Sequence, residues 1–84
     1  MSQKLRQIRD VSIGGNLRKL RKEAHMTQEQ VVAQLQLRNQ PTTRSTYSQI
    51  ESGTYNIRIS ELVALAEIFH TDYNTIFDGV SYKK

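Results

Sequence analysis

Thr43-Arg44-Ser45-Thr46-Tyr47-Ser48-Gln49-Ile50-Glu51-Ser52-Gly53 is the stretch that decides how this chain is read. Thr43, or Thr42 before it, is an N-cap residue type, whose side-chain oxygen accepts an orphan backbone N–H at the start of a helix. Gly53 tolerates the left-handed backbone in which helices commonly end. Between these signals only Tyr47 and Ile50 are large and apolar, and their i, i+3 spacing puts them on one edge. Arg44, Ser45, Ser48 and Gln49 fall on the opposite face. A helix that buries one thin edge and shows water a row of short hydrogen-bonding groups is suited to reading base edges in a DNA groove. The plainer alternative is an ordinary solvated helix surface.

Outward from this segment, helical periodicity dominates and no hairpin signal or sustained alternation suggests strands. Upstream, Thr27 and Gln30 form a T-x-x-Q capping box, and Met26 and Val31 occupy the N′ and N4 positions of a hydrophobic staple. This second helix runs to about Gln36, with Val31, Val32 and Leu35 inward. Residues 37–42 form a connector in which Pro41 disfavours helical geometry at Gln40, and Leu37 is free to pack inward. A first helix spans about Ile13 to Ala24, with Ile13, Leu17, Leu20 and Ala24 as its apolar stripe. Downstream, a fourth helix over about Ser60 to Phe69 carries Leu62, Leu65, Ala66 and Phe69 on one face, with Ile68 alongside. A short fifth helix is capped by Asp72, packs Tyr73, Ile76 and Phe77, and ends at Gly79. The expected fold class is therefore all-α, with five helices in one domain.

The sequence divides into a basic arm over residues 1–12, a helical domain over 13–79 and a tail over 80–84. In the arm, Leu5, Ile8 and Val11 at spacing three fit either an extra helical turn or a disordered segment. Net charge is +4, unevenly spread: residues 1–58 hold ten Lys/Arg against four Asp/Glu, and residues 59–84 hold two against four. A basic front half suits a polyanion, and Lys19 and Lys22 add to its field. With no cysteine, disulfides and thiolate metal sites are excluded. No apolar run approaches the roughly 18 residues of a membrane span, so the chain reads as soluble and cytoplasmic.

Catalytic chemistry finds little support. His25 and His70 are isolated and fall at the ends of the first and fourth helices. No metalloprotease, serine-hydrolase or phosphate-loop motif is present, and Gly14-Gly15 follows no strand. No catalytic residue, metal or cofactor is expected. The opening of the second helix at Thr27 and Gln28, by contrast, offers backbone N–H groups and a dipole favourable to phosphate. Thr54-Tyr55-Asn56 adds donors beyond the third helix.

In their order, these segments resemble the Cro and phage-repressor helix-turn-helix family. Ile13-Gly14, Leu17 and Leu20-Arg21 resemble its first helix, and Met26-Thr27-Gln28-Glu29-Gln30-Val31 its second. Arg44 to Gly53 resembles its recognition helix, including the Ile-Glu-x-Gly ending, and Leu62 to Phe69 with Asp72 to Phe77 its last two helices. The resemblance implies base contacts from Arg44, Ser45, Ser48 and Gln49, with Gln49 suited to adenine and Arg44 to guanine. It implies phosphate contacts from Thr27, Gln28, Thr46, Tyr55 and Asn56, and a structural ion pair between Arg21 and Glu51.

The chain departs from the family's pattern between Gln28 and Thr43, where the connector is longer than the usual turn. Gln36 stands where a glycine usually ends the second helix, and Val32 replaces a small residue within it. Either the second helix runs longer, or a loop carrying Arg38, Asn39 and Gln40 projects. That loop touches phosphate or a groove edge, or is only a spacer. Ile57 replaces a usual proline and Arg58 takes the cap position, which points to a late start for the fourth helix at Ser60.

The implied function is that of a prokaryotic or phage-encoded, repressor-like transcriptional regulator binding a two-fold operator in double-stranded DNA as a homodimer. Tyr73, Phe77, Val80 and Tyr82 are the candidate dimer residues. The alternative is an antitoxin-like or anti-repressor-like module that uses the same fold to bind protein.

Overall fold

The structure is a computed structural model and describes residues 13–79; the basic arm, the tail, Val80 and Tyr82 lie outside the described residues. The described residues form five helices and no strand: α1 (Ile13–Glu23), α2 (Gln28–Leu37), α3 (Arg44–Ser52), α4 (Ile59–Ile68) and α5 (Tyr73–Ile76). Helix α3 packs against both α1 and α2, α4 packs against α2, and α5 packs against α1. Leu17, Val31, Leu35, Tyr47, Ile50, Ile57, Leu65 and Ile76 are the largest fully buried side chains. They come from all five helices and from the segment before α4, so the recognition-like helix rests on the common core.

Caps explain where the helices begin. Thr27 Oγ1 accepts the Gln30 N–H at 3.1 Å, and Gln30 Oε1 accepts the Thr27 N–H at 2.8 Å, completing the capping box. Of the two threonines before α3, Thr43 is the cap, its Oγ1 accepting the Thr46 N–H at 3.1 Å. Asp72 Oδ1 does the same for Thr75 at 2.8 Å.

Helix α4 begins at Ile59, one residue before the Ser60 expected from sequence. Arg58 offers no side-chain cap, but Glu61 Oε1 reaches back to accept the Arg58 N–H at 2.9 Å. The other oxygen of Glu61 accepts the Thr42 hydroxyl at 2.7 Å, and both side chains are buried. This buried pair pins the end of the connector to α4. Hydrogen bonds to charged groups are worth about 1.5–3 kcal/mol. Thr42→Val is therefore expected to cost roughly that much stability by urea unfolding, and Thr42→Ser much less. Equal stability of the valine variant and the parent would show that the bond contributes nothing.

Helix ends follow one device. The N–H groups of His25 and Met26 return to the carbonyls of Lys22 and Arg21; those of Asn39 and Gln40 return to Gln36 and Leu35. The N–H groups of Gly53 and Thr54 bond Ile50 and Gln49, and those of His70 and Thr71 bond Glu67 and Ala66. These paired bonds are the Schellman arrangement, which needs a left-handed residue at the turn. Only one of the four turns uses glycine; His25, Asn39 and His70 adopt φ values of 57°, 64° and 51°. His25 and His70 thus have backbone roles at the ends of their helices.

Two expected core positions, Ala24 and Tyr73, are on the surface, and so is Leu37, which the sequence left free to pack inward. Leu37 is 75% exposed: α2 continues through it, and two residues beyond Leu35 is about 200° around the helix, away from the core. Ala24 is exposed because α1 stops at Glu23. Tyr73 is exposed at the first position of α5, whereas Ile76 is buried and Phe77 half-buried. Asn16, unremarked in the sequence, ties α1 to α5: its Nδ2 donates to the carbonyls of Ile76 and Asp78 at 2.7 and 2.8 Å.

Candidate nucleic-acid interface

Helix α3 divides sharply between an anchored and an open face. Tyr47, Ile50 and Glu51 are buried, while Arg44, Ser45, Ser48, Gln49 and Ser52 are exposed. The four side chains expected to face bases therefore lie together on the open face. Ser52 extends the row by one turn; its Oγ donates to the Gln49 carbonyl at 3.1 Å. Its place on the row follows from the i, i+4 spacing with Ser48.

The anchor is an ion pair. Arg21 Nε lies 2.7 Å from Glu51 Oε2, and its Nη2 lies 3.2 Å from Oε1. The two side chains are 12% and 4% exposed. Arg21 Nη1 also donates to the Met26 carbonyl at 3.0 Å, so this guanidinium binds α3 and the turn after α1 together. Its hydrogen bond to Glu51 raises the Arg21 pKa above the usual range. Burial alone would raise the Glu51 carboxyl, but hydrogen bonds from Arg21 and Gln28, with the Tyr47 hydroxyl close by, outweigh it, and the net shift is downward. The Tyr47 hydroxyl sits beside this pair without a well-formed hydrogen bond of its own. Burial pushes its pKa up, so it stays neutral.

A polar chain continues from the anchor to the open face. Gln28 Nε2 donates to Glu51 Oε1 at 3.1 Å, and Gln28 Oε1 accepts from Arg44 Nε at 3.2 Å. Arg44 Nη1 donates to Glu29 Oε2 at 3.1 Å. The N-termini of α2 and α3 are thereby joined side by side. Glu29 went unmarked in the sequence beyond its place in the helix opening, because its partner lies fifteen residues away on another helix.

The other expected contacts divide into two groups. Thr27 is exposed, and with Oγ1 acting as acceptor in the cap its own hydroxyl hydrogen is free to donate. Thr46 is half-buried; its Oγ1 accepts from the Thr43 hydroxyl at 3.1 Å and retains its hydrogen likewise. Asn56 is exposed and Tyr55 packs against the core edge.

The connector residues are bound to the body of the fold. Arg38 pairs with Glu67 on α4 at 3.3 Å and with the Gln34 side chain at 2.8 Å. Asn39 is the left-handed turn residue, and Gln40 Oε1 accepts from Ser60 at 3.1 Å. None of the three joins the polar row of α3.

Arg18, which the sequence did not single out, lines the cleft between α1, α2 and α3 with Arg21, Gln28, Ser48, Glu51 and Ser52. It stands one helical turn before Arg21, and that i, i+3 spacing places both on the side of α1 that meets α3.

The open polar helix, anchored by an ion pair and flanked by the start of a second helix, is the arrangement of a helix-turn-helix unit. A family model described as a helix-turn-helix domain matches residues 14–81, most of the chain. The chain belongs to the helix-turn-helix domain family. No curated protein and no solved structure gave a significant match. Among the described residues, no helix is long and apolar enough to cross a membrane.

Proposed function

We propose that this protein is a sequence-specific, repressor-like transcriptional regulator that reads the DNA major groove with α3. The observation that carries this reading is the division of α3: Tyr47, Ile50 and Glu51 hold it to the body, while Arg44, Ser45, Ser48 and Gln49 stand exposed in a row. Arg44 and Gln49 match guanine and adenine edges respectively, and the two serines suit either base or phosphate. Thr27, Gln28, Thr46, Tyr55 and Asn56 are proposed to contact phosphates and fix the register of the helix on the duplex. One recognition helix reads few base pairs, so the functional unit is proposed to be a homodimer on a two-fold operator. Such a protein acts in the cytoplasm of a prokaryotic cell.

Selection from random-sequence duplex pools across a salt series tests this reading. The protein should enrich a symmetric site, and its affinity should fall steeply as salt rises. Arg44→Ala and Gln49→Ala should each relax preference at one base position, at a cost of roughly 1–3 kcal/mol. Enrichment of no motif at low salt would sink the reading and leave the protein-binding alternative in its place.

A further inference from the structure

Arg44 occupies the first position of α3, where the helix dipole is unfavourable to a cation. Two side chains from the start of α2 hold it there. Its Nε donates to Gln28 Oε1 at 3.2 Å, and its Nη1 donates to Glu29 Oε2 at 3.1 Å. The Gln28 amide cannot be turned over without loss: its nitrogen must face the acceptor-only carboxylate of Glu51, at 3.1 Å, so its oxygen must face Arg44. Glu51 is itself fixed by Arg21 at 2.7 Å. The orientation of the Arg44 guanidinium is therefore traceable, bond by bond, to the buried ion pair.

A guanidinium carries five N–H donors in one plane. Gln28 uses the single N–H of Nε, and Glu29 uses one of the two on Nη1. One N–H of Nη1 and both of Nη2 make no bond within the described residues. They leave paired donors of the kind that meet O6 and N7 of guanine. Held at two points, the plane of the fork is set before DNA arrives, which lowers the ordering cost of the contact. In water the pair is weak, since the Arg44 and Glu29 side chains are 58% and 71% exposed. Its influence grows when a groove excludes water and screening falls.

We propose that Glu29, with Gln28, is a positioning residue for Arg44 and sets specificity for guanine at the one base pair Arg44 reads, while Glu29 makes no DNA contact of its own. This inference rests on the DNA-reading function proposed above. The opposite possibility in the same geometry is a latch, in which Glu29 merely competes with DNA for Arg44. The two differ in what the removal of Glu29 does to discrimination.

The experiment compares the full chain with Glu29→Ala and Glu29→Gln. Each is measured by fluorescence anisotropy against the selected site and against duplexes changed at single positions. Glu29 is exposed, so urea unfolding should show both variants folded. Arg44→Ala identifies the base pair concerned. Glu29→Ala is expected to lower discrimination at that pair several-fold, out of the roughly 5- to 150-fold a bidentate contact supplies. Discrimination elsewhere should be unchanged. Glu29→Gln, which retains an acceptor, should lose less. The slope of affinity against salt should be the same in all three, because no phosphate contact is removed.

Unchanged discrimination in Glu29→Ala overturns the inference. So does uniformly tighter binding to every duplex, the signature of a latch, and so does a base other than guanine at the pair that Arg44→Ala relaxes. These outcomes leave the DNA-reading function standing. Failure of the parent protein to select any site removes that function and this inference with it.

Discussion

Replacing Arg21 with alanine is expected to cost about 3–5 kcal/mol, the penalty for leaving one member of a buried ion pair behind. Glu51, whose side chain is 4% exposed beside Arg21, would keep only the Gln28 amide and the neighbouring Tyr47 hydroxyl for company. Small domains have roughly 5–15 kcal/mol of stability in all, so the variant should approach or cross its unfolding threshold at room temperature. The urea midpoint measures this directly. A loss below about 1 kcal/mol, the range of exposed pairs, would show the pair to be solvated and of little consequence.

The same pair sets a pH dependence. The Glu51 pKa is lower in the folded protein than in the unfolded chain. The carboxylate therefore contributes stability that is fully present above its unfolded pKa, near 4.5. That stability is lost as pH falls through the lower, folded value. In Arg21→Ala the sign reverses: burial without the guanidinium raises the carboxyl pKa, and protonation relieves the stranded charge. The stability gap between parent and variant should accordingly narrow on acidification from neutral pH. A gap that is constant with pH would mean that Arg21 acts by packing alone.

The second large effect concerns adjacent glycines with opposite expected outcomes. A Cβ on Gly14 would lie 2.3 Å from the Ile50 carbonyl oxygen and 2.6 Å from that of Glu51. Both are backbone atoms of α3, so relief requires the helices themselves to part. Overpacking of this kind costs about 1–3 kcal/mol, occasionally more. A Cβ on Gly15 meets no atom within 4 Å. Alanine there removes the entropic cost of a helical glycine and should stabilise by about 0.5–1 kcal/mol. Thermal unfolding of Gly14→Ala and Gly15→Ala should move in opposite directions. Equal melting temperatures would mean that α1 and α3 do not approach as closely as described. Gly14→Ala should also weaken DNA binding, because parting α1 from α3 strains the Arg21–Glu51 anchor.

The division of α3 into buried and open faces was readable from residues 43–53 because both of its causes are local. Side-chain spacing decides which residues share a face, and the cap and stop residues decide where the helix runs. The same holds for the Thr27–Gln30 box and the Asp72 cap, whose partners lie three residues away. Reading failed where the helix end depended on less marked residues. His25, Asn39 and His70 take left-handed turns that glycine would have advertised, so the expected end of α1 ran on to Ala24. It failed also for Leu37, whose hydrophobicity suggested burial while its angular position on α2 did not.

By itself the sequence determined an all-helical domain, the positions of its five helices and the polar row on the third, because periodicity and capping act over a few residues along the chain. Only the tertiary structure decided that Gly14 lies against the backbone of α3, that Thr42 and Glu61 share a buried bond, and that Glu29 and Gln28 hold Arg44. Each of these depends on where two distant segments meet. The close approach of backbones and the desolvation of paired polar groups are properties of that meeting, and neither leaves a periodic trace in the order of residues.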